Sequence, residues 1–333
     1  MVSLSDLTGA PDGPPVDLPP LMLAAIDGLG AQLDVDARAL LTERAAIWSY
    51  SRGGRVSCGG VTRLLRVADG WIALSLPRTD DEDLVPAWIG CEPNWDRIEA
   101  TVATRDAAEL VERGRLLGLP IAALGERAPG PLYERTDVGP ASPLTNAPLV
   151  VDLSSLWAGP LCTRLLHEQG ARVIKVESHT RPDGARRGPI TFFDLMHDGK
   201  EFVSIDFAAE PLLELLLRAD VVVEGSRPRA LEQLGIDARE ILKSGPRVWL
   251  SITGHGRSAP QRDWVGFGDD AAVAGGLVGW WNGEPCFAGD AIADPLTGIA
   301  GAIAVRDALA EGGRWLIDCN LAGVAAYVAG ASQ

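Results

Sequence analysis

Residues 148–177 read PLVVDL, SSLW, AGPLCTRLLHEQG, A and RVIKVE in succession. An apolar run of strand length ends in a turn, a helical run carries on to Gly170, and a second apolar run closes the unit. Neither run alternates apolar with polar residues, which is the pattern of strands covered on both faces in a parallel sheet. The rhythm continues downstream. FVSIDF (202–207) and DVVVEG (220–225) read as strands around the helix PLLELLLRA (211–219). ALEQLG (230–235) and AREILKSG (238–245) read as short helices before the strand RVWLSITG (247–254). A long helix (295–313), the strand RWLIDC (314–319) and the helix LAGVAAYVAG (321–330) follow. The expected fold class is α/β: a mostly parallel, nucleotide-fold-like sheet over 148–333, with helices on both faces.

Upstream the pattern changes. TRLLRV (62–67) and WIALSL (71–76) flank Ala68-Asp69-Gly70, a hairpin signal. Two helices are expected after them, at 95–103 and 105–117, which makes a small α+β domain over 21–125. Its leading segment, 21–49, reads as helix broken near Gly28 to Gly30, followed by a glycine-rich stretch, SRGGRVSCGG. Residues 1–20, rich in Pro, Gly and Asp, are expected to be a disordered arm. Residues 126–147 hold four prolines and read as a linker.

Composition narrows the function. In 333 residues, Lys+Arg 30 against Asp+Glu 45 gives a net charge of -15, a field that repels phosphate backbones, so no nucleic-acid partner is expected. Cys58, Cys91, Cys162, Cys286 and Cys319 are never spaced C-x-x-C, which argues against a disulfide framework and against a zinc site. Residues 1–20 carry Asp6, Asp12 and Asp17 without a basic residue, unlike a secretory leader, and no apolar run is long enough to span a bilayer. A cytoplasmic protein without membrane contact is expected.

The turn after PLVVDL lacks the G-x-G-x-x-G of a dinucleotide site, and there is no G-x-S-x-G elbow. His167, His179, His197 and His255 stand apart from one another, so no metal is expected; His255 follows a strand and could line a pocket. The remaining signal is carboxylate. Asp290 and Asp294 lie beside a glycine-rich loop, and Asp294-Pro295 reads as a helix cap. Cap and catalyst are compatible roles. A carboxylate accepting backbone N–H groups stays ionised, as an anionic nucleophile must, and Gly275, Gly276, Gly279 and Gly289 could offer N–H groups to an oxyanion.

Several of these stretches, taken together, resemble the class III CoA-transferases, a group that includes formyl-CoA:oxalate CoA-transferase and α-methylacyl-CoA racemase. They are VVDLSSLWAGPLCTRLLHEQGARVIKVE (150–177), IDF (205–207), ADVVVEGSRPRALEQLGID (219–237) and PRVWLSITGHG (246–256). GFGDDAAVAGGL (266–277), FAGDAIADPLTGIAGAIAVRDAL (287–309) and GRWLIDCNL (313–321) continue the match. GGVTRLLRVADGWIALSL (59–76) and DAAELVERGRLLGLPIAAL (106–124) look like the family's small domain. That domain follows the large one in the family and precedes it here, so the chain looks circularly permuted.

The resemblance implies a CoA-transferase that moves CoA from an acyl-CoA to a small carboxylic acid. Asp294 would be its nucleophile, passing through an aspartyl-linked intermediate. CoA enters as a thioester substrate, with no tightly bound cofactor. Leu156, Trp157, Ala158, Arg227, Thr253 and His255 would lie near the CoA. Family members form interlocked dimers, so a homodimer is expected. Three departures bear on this reading. Ser178 stands where the family often has Arg, and Gly225-Ser226 where it has Asn-Phe. Phe267 stands where the racemase branch has its His, which counts against the alternative of a 2-methylacyl-CoA racemase or epimerase. A second alternative is a non-catalytic CoA-binding subunit of a larger complex.

Overall fold

The apolar runs of the second half pair edge to edge. A computed structural model describes residues 2–332 apart from Thr145, Arg181, Ala209 and Arg227. In chain order its first strands are β1 (Thr62–Val67), β2 (Gly70–Ser75), β3 (Ile121–Ala123), β4 (Glu134–Gly139), β5 (Leu149–Asp152) and β6 (Arg172–Glu177). They are followed by β7 (Glu201–Ser204), β8 (Val221–Glu224), β9 (Val248–Thr253), β10 (Val278–Trp281), β11 (Glu284–Phe287) and β12 (Arg314–Asn320).

Seven strands form one sheet in the order β4-β12-β9-β8-β5-β6-β7. All its pairings are parallel except that of β4 with β12. The chain runs outward from β5 through β6 to β7, then returns to β8 and runs the other way. The order therefore reverses between β5 and β8, the place where doubly wound sheets bind ligands beyond their carboxyl ends. Both faces are covered, as the unbroken apolar runs predict. Val150, Val221 and Leu250 face one core, with the helices Ala158–Glu168 and Ala293–Glu311; Val151, Val222 and Trp249 face a second core on the opposite side. The helix Ala293–Glu311 reaches its neighbours through glycines. A Cβ on Gly298 would stand 2.7 Å from the Ala158 carbonyl oxygen, and one on Gly301 would stand 3.0 Å from Leu250.

β1, β2 and β3 form a small antiparallel sheet that is also two-faced. Leu65, Ile72 and Leu74 pack with Trp88 and Ile98, while Leu64, Trp71 and Ala73 pack on Val273, Val278 and Phe287 of the second half. The second face ties the small unit to the large sheet.

Several expectations need correction. Residues 1–20 are not a disordered arm here: Leu4, Leu7 and Leu18 are buried, Ser5–Leu7 forms a 3-10 turn, and the Val16 N–H donates to the Thr8 carbonyl. The helix Pro20–Leu33 runs straight through Gly28 and Gly30. Gly30 is there because the chain folds back on it, with the Val35 carbonyl oxygen 2.5 Å from where a Cβ would sit; the break comes instead at Asp34, in the left-handed region at φ 57. The stretch read as a linker supplies β4. An exposed, charged edge strand lacks the apolar pattern that marks an inner one. The helix Thr79–Ile89 went unread because Pro86 lies inside it.

The two kinds of helical glycine make a paired prediction. Gly28 is exposed with open space around it, so Gly28→Ala should stabilise the protein by about 0.5–1 kcal/mol. Gly298→Ala drives a methyl into backbone and should cost about 1–3 kcal/mol. Urea unfolding of both variants checks this; equal midpoints would mean that the helix contact at Ala158 is loose.

Candidate functional site

The hairpin β10–β11 delivers the chain to a tight loop, with Gly289 at φ 64 and Ala291 at φ 43, before the helix Ala293–Glu311 begins. The first 60 residues close over this loop. Gly289 donates its N–H to Thr8 Oγ1 at 3.1 Å and accepts from Cys58 Sγ at 3.3 Å, and Leu4 covers it. Gly289 thus spends its N–H on Thr8, rather than offering it to an oxyanion. Gly275 and Gly279 are packing residues: a Cβ on either would stand within 2.6 Å of a neighbouring atom.

Asp294 is the second residue of its helix, and Pro295 the third. The expected cap is absent, since Ile292 occupies the N-cap position without a side-chain bond. The carboxyl lies against Gly268: a Cβ there would be 2.7 Å from Asp294 Oδ2, and the Gly268 N–H donates to the group. The expectation of a fully ionised carboxylate is also corrected. Burial pushes Asp294 up to about 7, and Asp269 and Asp290 push the same way, against Arg44 and the Gly268 N–H. Near neutral pH the group is therefore divided between acid and carboxylate.

Asp290 is no loop bystander. It is fully buried, and both of its oxygens are held by Arg44, Nε to Oδ2 at 2.8 Å and Nη2 to Oδ1 at 2.5 Å. Arg44 comes from the short helix Glu43–Trp48, and its guanidinium lies 4.8 Å above the Trp157 ring centroid.

Two further buried carboxyls stand on the helix Gly268–Ala274. Asp269 accepts the Ala291 N–H at 3.0 Å and hydroxyl contacts from Thr62 and Ser57; burial and then Asp290 push it up to about 6. Asp270 accepts from Ser75 Oγ at 2.8 Å and from the Phe267 N–H at 3.1 Å, while its Oδ2 is buried without a partner among the described residues. Burial pushes it up to about 7. The hydroxyls come from the small unit and the carboxyls from the large one.

The positions expected near CoA fall in two groups. Leu156, at φ 72 and exposed, Trp157 and Ala158, both buried, form the turn after β5. They sit at the reversal of strand order, where Gly225 of the β8 turn lies against Ser154. Trp157 is tied to the carboxyl cluster through Arg44. Thr253 and His255 follow β9. Thr253 bonds Asp318 at 3.2 Å, and buried His255 stacks edge-on against Trp264, its ring nitrogen Nε2 unpartnered. Burial first, then Arg115 and Arg127, bring His255 down to about 3, so it is neutral. Among the described residues no hydrogen bond or ion pair joins Thr253 or His255 to Asp294. Arg227 lies outside the described residues.

Beneath the first turn is a charged network that the sequence reading missed. Lys175 bonds the Ser154 carbonyl and Asp183, and Asp183 accepts the Leu156 N–H at 2.9 Å. Asp152 accepts from Thr163 at 2.6 Å and from Lys200 at 3.3 Å. Burial opposes ionisation of Asp152, but Lys175, Lys200 and the hydroxyls of Ser154 and Thr163 prevail and hold it below the usual carboxylate range. Desolvation lowers Lys200 to about 8. The one sequence signal was Lys175 inside an otherwise apolar strand, which must either pair or break the core.

Residues 148–332 match the model of CoA-transferase family III. An acyl-CoA transferase of Fusarium pseudograminearum is 32% identical over 173 residues, covering 45% of this chain and 38% of that one. The succinyl-CoA–L-malate CoA-transferase beta subunit of Chloroflexus aurantiacus is 35% identical over 176 residues, covering 48% and 44%. The crystal structure of a CAIB/BAIF family protein from Brucella suis superposes with a TM-score of 0.50 at 30% identity, over 56% of this chain and 55% of that one. The chain thus spans about half the length, or less, of these relatives.

The buried carboxyls carry a pH signature. A group whose folded pKa is raised confers stability that is complete below its unfolded value and lost as the pH rises through the folded one. For Asp269, Asp270 and Asp294 that loss falls between about 4 and about 7. Thermal stability should therefore drop between about pH 4 and pH 7. Asp270→Asn cannot ionise and should reduce the drop by roughly 2–4 kcal/mol. An unchanged slope in calorimetry would remove Asp270 from the titrating set.

Proposed function

The chain belongs to CoA-transferase family III, and we propose that it moves CoA from an acyl-CoA thioester to a carboxylic acid, with Asp294 as the nucleophile. One observation carries this reading. Of the four carboxyls in the cluster, Asp269, Asp270 and Asp290 are each held by a side-chain donor, and among the described residues none is given to Asp294. A group that must attack a substrate carbonyl needs an oxygen that is not already committed.

The chemistry balances without an external energy source. A carboxylate oxygen of Asp294 attacks the thioester carbonyl, the C–S bond breaks, and CoA leaves as thiolate from a mixed anhydride. The thiolate attacks the aspartyl carbonyl, giving an aspartyl-CoA thioester and releasing the donor acid as carboxylate. The acceptor carboxylate then attacks that thioester and forms a second anhydride, again expelling thiolate. Attack by thiolate on the acceptor acyl carbon yields the new acyl-CoA and regenerates Asp294. Each step exchanges one acyl bond for another. CoA is thus a substrate, and by resemblance to the family Leu156, Trp157, Ala158, Arg227, Thr253 and His255 are the residues assigned to its binding. The racemase alternative lacks a base at Phe267, since a hydrocarbon ring cannot carry a proton.

Asp294→Asn is nearly isosteric and can still accept the Gly268 N–H. It should fold normally and lose roughly 10³-fold or more in transfer. Acid-quenched enzyme and succinyl-CoA should give a mass adduct on the peptide containing Asp294, absent from the variant. A folded, fully active variant would overturn the assignment.

The order of segments supports a circularly permuted chain, in which the small unit precedes the large sheet. By resemblance to the family we assign it a homodimer. Light scattering at micromolar concentration should return twice the chain mass; a monomer would refute the assignment.

A further inference from the structure

Three observations converge on Arg44. Its guanidinium grips Asp290 with two bonds of 2.8 and 2.5 Å, it lies 4.8 Å from the Trp157 ring centroid, and the Asp290 it holds stands in the tight loop of Gly289 and Ala291, four residues before Asp294. Resting on the reading of Asp294 as nucleophile, we propose that Arg44 is its positioning residue: clamped by Asp290 and seated over Trp157, it fixes the loop that leads into Asp294 and brings a cation to the carboxyl cluster.

The clamp has two opposed effects. The cation favours ionisation of Asp294, whereas the buried Asp290 that fixes the cation in place also cancels part of its field. A fork of two bonds keeps the guanidinium plane fixed, which a lysine ammonium cannot do. The other charged neighbour of Asp294 is Asp269, on the helix Gly268–Ala274. Tyr50 and Cys58 face Asp290 and Asp269 from the stretch after the Arg44 helix; burial raises both, so they stay neutral while the carboxyls titrate.

The opposed effects predict shifts of opposite sign. Arg44→Met removes the cation and leaves Asp290 uncompensated, so Asp294 should ionise at higher pH, by about one unit or more. Asp290→Asn removes the anion and turns the full guanidinium charge on Asp294, so ionisation should move down by a similar amount. Arg44→Lys should stay closer to the wild type than Arg44→Met. A merely structural role would harm both Arg44→Met and Asp290→Asn alike and shift neither in this manner.

Carboxyl ¹³C NMR titration of the full chain reads the midpoint directly, with the Asp294 resonance identified by its loss in Asp294→Asn. The rate of adduct formation with succinyl-CoA against pH gives the second readout, and its acid limb should move with the NMR midpoint. Midpoints that stay fixed, or that move in the same direction in Arg44→Met and Asp290→Asn, overturn the proposal. If Arg44→Met does not fold, the Asp290→Asn midpoint decides alone: a fall supports the proposal, and no fall overturns it. Opposite shifts in a protein that forms no adduct would overturn the nucleophile and not the electrostatic coupling. An adduct with unshifted midpoints would overturn the coupling and not the nucleophile.

Discussion

Among the described residues, a single guanidinium stands against three carboxyls in the interior corner where the two halves of the chain meet. Charges withdrawn from water must be paired, hydrogen-bonded or neutralised by a proton. Here each solution is used once. Asp290 is paired with Arg44. Asp269 takes backbone and hydroxyl donors. Asp294, which has no direct ion pair among the described residues, is left near the midpoint between acid and carboxylate. The corner is thus ordered by how little positive charge it contains.

That corner exists only because helices come unusually close. Gly298 lets the helix carrying Asp294 lie against the backbone at Ala158, one residue past the Trp157 that supports Arg44. Gly268 does the same for the carboxyl itself: a Cβ would meet both Asp294 Oδ2 and the Ala291 carbonyl oxygen, at 2.4 Å. The turn at 154–157 is held from below by Lys175 and Asp183, so the platform under Arg44 is not free to drift. Packing and electrostatics therefore act through the same few residues.

The sequence announced the large sheet because buried parallel strands must be apolar throughout, and 149–152, 172–177 and 248–253 are nearly so. It concealed whatever was buried by other means. The first 20 residues dock through isolated leucines with no period, and β4 is polar because it is an edge. Asp294 was singled out through the resemblance to a family, but its surroundings were not legible. Arg44 lies in a six-residue helix far along the chain from Asp290, and nothing local indicates that the two meet. The pair Asp269-Asp270 was visible as two adjacent acids, yet adjacency does not say that both are buried. The cap expected at Asp294 failed because the helix begins two residues earlier, with Ile292 at the N-cap position, and the carboxyl lies against Gly268 instead.

The family match covers 148–332, and by that measure the site belongs to the second half alone. Its partners argue otherwise. Thr8 satisfies Gly289, Arg44 satisfies Asp290, Ser57 and Thr62 reach Asp269, and Ser75 reaches Asp270. Every one of these donors comes from the first 75 residues. A sheet without them would carry the same Asp294 in the same loop, but the neighbouring carboxyls would lose their compensation, and unpaired buried charge is resolved by protonation or by rearrangement. The small unit and its leading segment are therefore more than a lid over a finished site. They supply the opposite sign of charge and the hydroxyl donors, without which the acidic corner could not hold its geometry at neutral pH.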